Sequence, residues 1–211
     1  MKIAIFDMDG TLINSAKDIT ITVNEVRRKH HNLDELSEAF VIEAINRDKR
    51  NLAKLFYETD EYQRKDRLYF EDFYAHQCTQ NVYLYDGIKE TLDLLRQEQV
   101  RVSVATNAPT QFARLMLEKC GIFENFDFVI GADRVEKAKP DREMLVHILR
   151  GYGYQRSHKA LMIGDNSKDM QAAQHAGIDS GFATWGFSPE TSHHKVFTKP
   201  QEILEYFKGG F

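Results

Sequence analysis

The chain has 211 residues, of which 42% are hydrophobic and 28% charged. That length holds one α/β domain plus a small insertion, and the balance excludes disordered and collagen-like chains. The 28 basic and 32 acidic residues give a formal net charge of −4, which argues against a nucleic-acid or membrane-surface protein with its usual basic face.

The first predicted element is a β-rich apolar run over residues 2–6, KIAIF, which ends at Asp7. It is too short for a signal peptide, and no later run is long enough for a membrane span. A polar, glycine-containing turn follows. From about 16 to 81 there is no glycine, no proline and no clear strand. Ile19, Val23 and Val26 mark one helix; Phe40, Val41, Ala44 and Ile45 a second. Leu52, Leu55 and Phe56 mark a third, and Leu68, Tyr69 and Phe73 a fourth. The expected organisation is an all-helical domain over 16–82 inserted into an α/β core of 1–15 and 83–211.

Within the insertion, the aromatics from Tyr57 to Tyr74 are expected to pack its core. Arg27-Arg28-Lys29 reads as a solvated helix end. His30-His31 and His193-His194 are expected to be exposed, because sequence neighbours point to different faces and neither pair is a chelate. Cys78 and Cys120 sit in apparent helices, which speaks against a disulfide framework and for a reducing, cytoplasmic compartment.

After the turn at Asp86-Gly87 the pattern alternates. Helix 88–98 precedes strand 100–105; helix 110–120 precedes strand 127–131; a helix follows Pro140. Strand 160–164 leads to helix 167–176, and strand 180–184 and a helix from Pro200 to Phe207 close the chain. Such alternation means βαβ units and a parallel sheet, in which ligands bind at the carboxyl ends of the strands.

Those ends carry a distinctive set of residues. The first strand runs into Asp7-Met8-Asp9-Gly10-Thr11-Leu12, and strand 100–105 into Thr106-Asn107. Lys137 and Lys139 follow strand 127–131, and strand 160–164 runs into Asp165, with Asp169 four residues on. A carboxylate can attack phosphorus. Several carboxylates together imply a hard divalent cation with oxygen ligands, Mg²⁺ foremost. Lysine and threonine can hold phosphate oxygens, and Gly10 lets backbone amides approach an anion. The bland alternative is that Asp165 lies near the cap of the next helix and Asp169 favours its dipole. Four loops carrying mutually consistent groups outweigh it.

The DMDGTL segment resembles the first motif of the haloacid dehalogenase-like hydrolase superfamily. Thr106-Asn107 resembles its second motif, and Gly164-Asp165-Asn166-Ser167-Lys168-Asp169 its fourth, in the GDxxxD form. The resemblance covers essentially the whole chain and is closest to the phosphoglycolate phosphatase-like group. It implies a Rossmann-like parallel core with a helical cap, and hydrolysis of a phosphomonoester through an aspartyl-phosphate. Asp7 would be nucleophile and metal ligand. Asp9 would be general acid and base, with its backbone carbonyl on the metal. Asp165 would be a metal ligand, and Asp169 a ligand through water or an anchor for the lysine. Thr106 and the Asn107 backbone would hold the phosphate. The third motif, Lys-Pro-x-Pro-acid, is less clean. Aligned on Pro140 and Asp141, it makes Lys137 the family lysine and puts Ala138 at the first proline, with Lys139 the alternative. Arg47 stands where related caps place a substrate-contacting loop.

Asp9 argues against a dehalogenase, which lacks an aspartate there, and against the ion-pumping ATPases, which carry threonine. A cap histidine, expected of sugar phosphomutases, is missing from Ser15 to Thr20. Phosphomutase, or a non-catalytic phosphate-binding regulatory protein, is the alternative. The expected partner is a small phosphorylated metabolite, with no nucleic acid and no membrane, acting on a monomer or homodimer.

Overall fold

A computed structural model describes residues 1–47, 50–188 and 195–209. The chain divides into two compact units, Met1–Asn14 with Leu84–Phe211, and Ser15–Tyr83.

The first unit is built on a parallel six-stranded sheet. Its strands are β1 (Lys2–Phe6), β4 (Val100–Ala105), β5 (Phe128–Ile130), β6 (Lys159–Gly164), β7 (Asp179–Ala183) and β8 (Val196–Phe197), in spatial order β5-β4-β1-β6-β7-β8. β2 (Ile13–Asn14) and β3 (Tyr83–Leu84) form a separate two-stranded ribbon. β1 is central and covered on both faces, so Ile3 to Phe6 are fully buried and the strand reads as a continuous apolar run. Helices α7 (Glu143–Gly151) and α8 (Ser167–Ala176) cover one face. Ile3 and Ile5 meet Met144, Leu145 and Ile148 there, with Ala172 and Ala173 from α8. α5 (Ile88–Gln97) packs on β4, α6 (Thr110–Lys119) on β5, and α9 (Glu202–Lys208) against α5. The sequence pattern misses β8, a two-residue strand too short to show a period. Among the described residues no helix is long and apolar enough to cross a membrane.

The second unit holds α1 (Ala16–Val26), a π-helical turn over Arg27–His31, α2 (Glu38–Asn46), α3 (Leu52–Tyr57) and α4 (Arg64–Gln77). Val23, Val26, Val41, Ala44, Phe56 and Tyr57 form its core. Ser37 and Asn51 cap α2 and α3 by accepting from Phe40 N and Lys54 N. Leu68, expected on the packed face of α4, is 53% exposed.

Among the described residues two carboxylates are buried in this unit, and both are satisfied. Asp18 accepts from Gln77 Nε2 at 2.8 Å and from Asn81 N and Nδ2 at 2.9 and 2.6 Å. Asp66 meets His30 Nδ1 at 2.8 Å and His31 Nε2 at 2.9 Å. The histidine pair is therefore partly buried rather than exposed. Two neighbours reach one carboxylate because each uses a different ring nitrogen, Nδ1 near the backbone and Nε2 at the far edge. His31 stacks on Tyr57 and His30 tilts against Tyr69. Arg27 is buried too, donating to Asp34 O and Phe56 O, so the expected solvated helix end begins only at Arg28. His193 and His194 lie outside the described residues.

Asp66 is buried and clamps two histidine rings, so its removal is costly. Asp66→Ala leaves both ring N–H groups without their acceptor. It should lower stability by about 1.5–3 kcal/mol, the range of a hydrogen bond to a charged group. Urea unfolding followed by circular dichroism measures this, and an unchanged midpoint would show that the two histidines find water instead.

Candidate active site

β1 lies between β4 and β6, and the chain's crossovers leave it in opposite directions. The crevice beyond the carboxyl ends of β1 and β6 is therefore the topological switch point of the sheet. Asp7 follows β1 there, its N–H bonded to Ile163 O at 2.8 Å, and Asp165 follows β6. Asp169 sits one turn into α8, and Thr106 directly after β4.

Each position has a local cause. Asn166, not Asp165, is the N-cap of α8; its side chain accepts from Lys168 N at 3.1 Å. Asp169 closes the capping box by accepting from Asn166 N through Oδ2 at 3.2 Å, which leaves Oδ1 facing the crevice. Gly164 admits this carboxylate, since a Cβ there would overlap it. In the loop after β1, Met8 O accepts from Thr11, Leu12 and Ile13 N, and Gly10 N donates to Ile13 O. The Gly10 amide is thus engaged within its own turn. Gly10 has φ +83, and a side chain on it would strike the Asp165 carboxylate. Its lack of a side chain permits the close approach of Asp165.

Lys139 organises the centre. Its ammonium donates to Asp7 Oδ1, Asp169 Oδ1 and Ala105 O, each at 2.6 Å, so its three N–H groups meet three acceptors. The residue is 5% exposed. Burial opposes its charge, but Asp169 and Asp7 together outweigh that and hold its pKa above the ordinary lysine value. Burial, with Asp7 and Asp169 alongside, pushes the Asp165 carboxyl well above the usual carboxylate range. Burial also raises Asp169, against the pull of Lys139.

This corrects the expectation for Lys137. That residue is exposed, and its backbone N–H donates to Glu143 Oε2 at 3.0 Å. The chain presents one proline where the motif has two. Reading Lys139-Pro140 as the opening Lys-Pro puts Arg142 at the second proline and Glu143 at the acid. A lysine directly before the proline was the available signal.

Asp7, Asp165 and Asp169 are all buried, and one carboxylate oxygen from each lies within 4.8 Å of the others. Three hard oxygen donors opposed by one ammonium suit a small divalent cation. The side chain of Asp9 is half-buried and lies outside this trio. Thr106 Oγ1 accepts from Ala108 N at 3.1 Å, which leaves its own proton for an anion. Asn107 has a role that the sequence did not suggest: its side chain exchanges two hydrogen bonds with the Lys139 backbone, Nδ2 to O at 2.9 Å and N to Oδ1 at 3.0 Å. Arg47 belongs to the second unit, at the end of α2, paired with Glu43 at 2.7 Å.

The two lysines are separable by experiment. Lys139→Met should abolish any turnover at this site, because Asp7 and Asp169 lose the ammonium that bridges them. Lys137→Ala should leave turnover at the wild-type level. The reverse outcome in a steady-state assay would reinstate Lys137.

Comparison with known proteins agrees with this geometry. The model of the haloacid dehalogenase-like hydrolase family matches residues 4–183. The phosphoglycolate phosphatase of Vibrio parahaemolyticus is 28% identical over 199 residues, covering 89% of this chain and 86% of its own. That of Aquifex aeolicus is 28% identical over 210 residues, covering 97% and 96%. The crystal structure of a predicted phosphoglycolate phosphatase from Haemophilus somnus matches with a TM-score of 0.85 and 26% identity, over 98% of each chain.

Proposed function

Because the chain belongs to the haloacid dehalogenase-like hydrolase family, we propose that its first unit is the core of a Mg²⁺-dependent phosphatase acting on a small phosphomonoester through an aspartyl-phosphate on Asp7. The observation that carries this reading is the buried Lys139 ammonium bridging Asp7 and Asp169, with Asp165 beside them at the switch point.

One oxygen of Asp7 is held by Lys139, and the other takes no hydrogen bond among the described residues. In the proposed reaction that carboxylate attacks phosphorus and the ester P–O bond breaks. The leaving alkoxide takes a proton from the Asp9 carboxyl. Asp9, now a carboxylate, takes a proton from water, whose oxygen attacks the phosphorus and releases phosphate from Asp7. Asp7, Asp165 and the Asp9 carbonyl would hold Mg²⁺, which when bound neutralises charge on the phosphoryl oxygens. Lys139 holds and orients one oxygen of Asp7. Thr106 offers its hydroxyl proton to a phosphate oxygen. Phosphoglycolate is the proposed substrate, supported by the names of the relatives that cover most of this chain.

Phosphate release from a panel of phosphate esters tests the reading. Turnover should require Mg²⁺ and vanish in chelator, and phosphoglycolate should be among the best substrates. Asp7→Asn should be inactive on every ester. Asp9→Asn should lose about 10²–10⁴-fold on alkyl esters, the usual contribution of general acid–base catalysis. On nitrophenyl phosphate, whose leaving group needs no proton, it should accumulate a phosphoenzyme visible by mass spectrometry. A phosphate mapped to any residue but Asp7 would refute the mechanism.

A further inference from the structure

Asp165 is also held from a side that the four motifs do not supply. β7 pairs with β6 and ends at Ala183, and the chain then crosses the rim of the site. Three contacts tie residues 185–187 to that rim. Trp185 Nε1 donates to Thr11 O at 2.9 Å. Gly186 presses on Gly10 O and on the Asp165 side chain, so that an added Cβ would overlap both and sit 2.5 Å from Asp165 Oδ2. Phe187 N donates to Asp165 Oδ2 at 2.6 Å. The φ of Gly186 lies outside the left-handed region, so space alone demands glycine here. Since one of the opposing atoms is the backbone oxygen of Gly10, no rotamer change relieves the overlap.

These contacts act on one torsion. An aspartate carboxylate turns easily about its last bond, because that torsion is broad and roughly two-fold. A free Asp165 would present either oxygen. With Oδ2 bound by Phe187 N–H and packed against Gly10 and Gly186, Oδ1 is the freer oxygen, bordered by Gly10 and approached by Thr11 Oγ1 at 3.4 Å. We propose that residues 185–187 are a positioning element of the metal site, fixing the Asp165 carboxylate so that Oδ1 faces the cation. The proposal rests on the reading of the first unit as a metal-dependent phosphatase.

The test is Mg²⁺ binding to the full chain by calorimetry without substrate, beside kcat and KM. Gly186→Ala should weaken Mg²⁺ binding about 10–100-fold, the usual effect of removing a group that orients a metal ligand. It should lower kcat at saturating substrate. A loop that serves stability alone would lower the metal-free melting temperature and leave Mg²⁺ affinity untouched, and that result for a folded Gly186→Ala overturns the proposal. Should Gly186→Ala not fold, Trp185→Phe decides, since it keeps an aromatic ring and removes only the donor to Thr11 O. Weaker Mg²⁺ binding by about 2–10-fold, the range of one hydrogen bond, supports the loop's role; wild-type affinity overturns it. A wild-type chain that neither binds Mg²⁺ nor releases phosphate would instead refute the phosphatase reading itself.

Discussion

The first unit depends on one ammonium placed among three carboxylates. Lys139 Nζ is 2.6 Å from oxygens of Asp7 and Asp169. At an effective dielectric of about 20, each of these attractions is worth about 6 kcal/mol. Carboxylate oxygens of Asp7, Asp165 and Asp169 lie within 4.8 Å of one another, so each pair repels by at least about 3 kcal/mol on the same scale. The lysine therefore roughly offsets the repulsion, and little is left against the desolvation of three buried acids. That residue appears as the raised carboxyls of Asp165 and Asp169. The lysine alone leaves the three acids electrostatically under-compensated, and a divalent cation would relieve them.

The crowding that makes this possible is a matter of missing side chains. Gly10, Gly164 and Gly186 each stand where a Cβ would overlap Asp165 or Asp169. Two carboxylates can then be drawn into the switch point between β1 and β6 with backbone packed directly against them. Asn107 sets the depth of the lysine from the other side by pairing with the Lys139 backbone. Position at this site comes from backbone and small residues, while charge comes from the acidic motifs.

Much of the core was legible because its signals are local. KIAIF is a buried central strand, and a buried strand must be a continuous apolar run. Gly177 ends α8 in the left-handed conformation that the sequence pattern expects of a helix stop. The carboxylates at strand ends were legible because a parallel sheet brings those ends to one rim. What escaped depends on contacts remote in sequence. Nothing in Trp185-Gly186-Phe187 names Asp165 as its partner. The choice between Lys137 and Lys139 turned on which proline of the motif survives, and one alignment frame put the wrong lysine inward. His30 and His31 were read by helical periodicity, which does not anticipate a π-helical turn or two rings of different reach meeting on Asp66.

The two units bury acids on different terms, and the difference separates structural from functional use. Asp18 is surrounded by amide donors from Gln77 and Asn81, and Asp66 by two histidine rings. Neither faces another carboxylate, so each is satisfied within the fold and can hold helices together without help. Asp165 has two backbone donors, Phe187 and its own amide, a distant threonine and two like charges for neighbours. Folding alone gives no reason to place it there, because an apolar residue would avoid both the desolvation and the repulsion. An acid that stability would discard, kept in place by two glycines and a turn of backbone, is the kind of group that a bound cation would use.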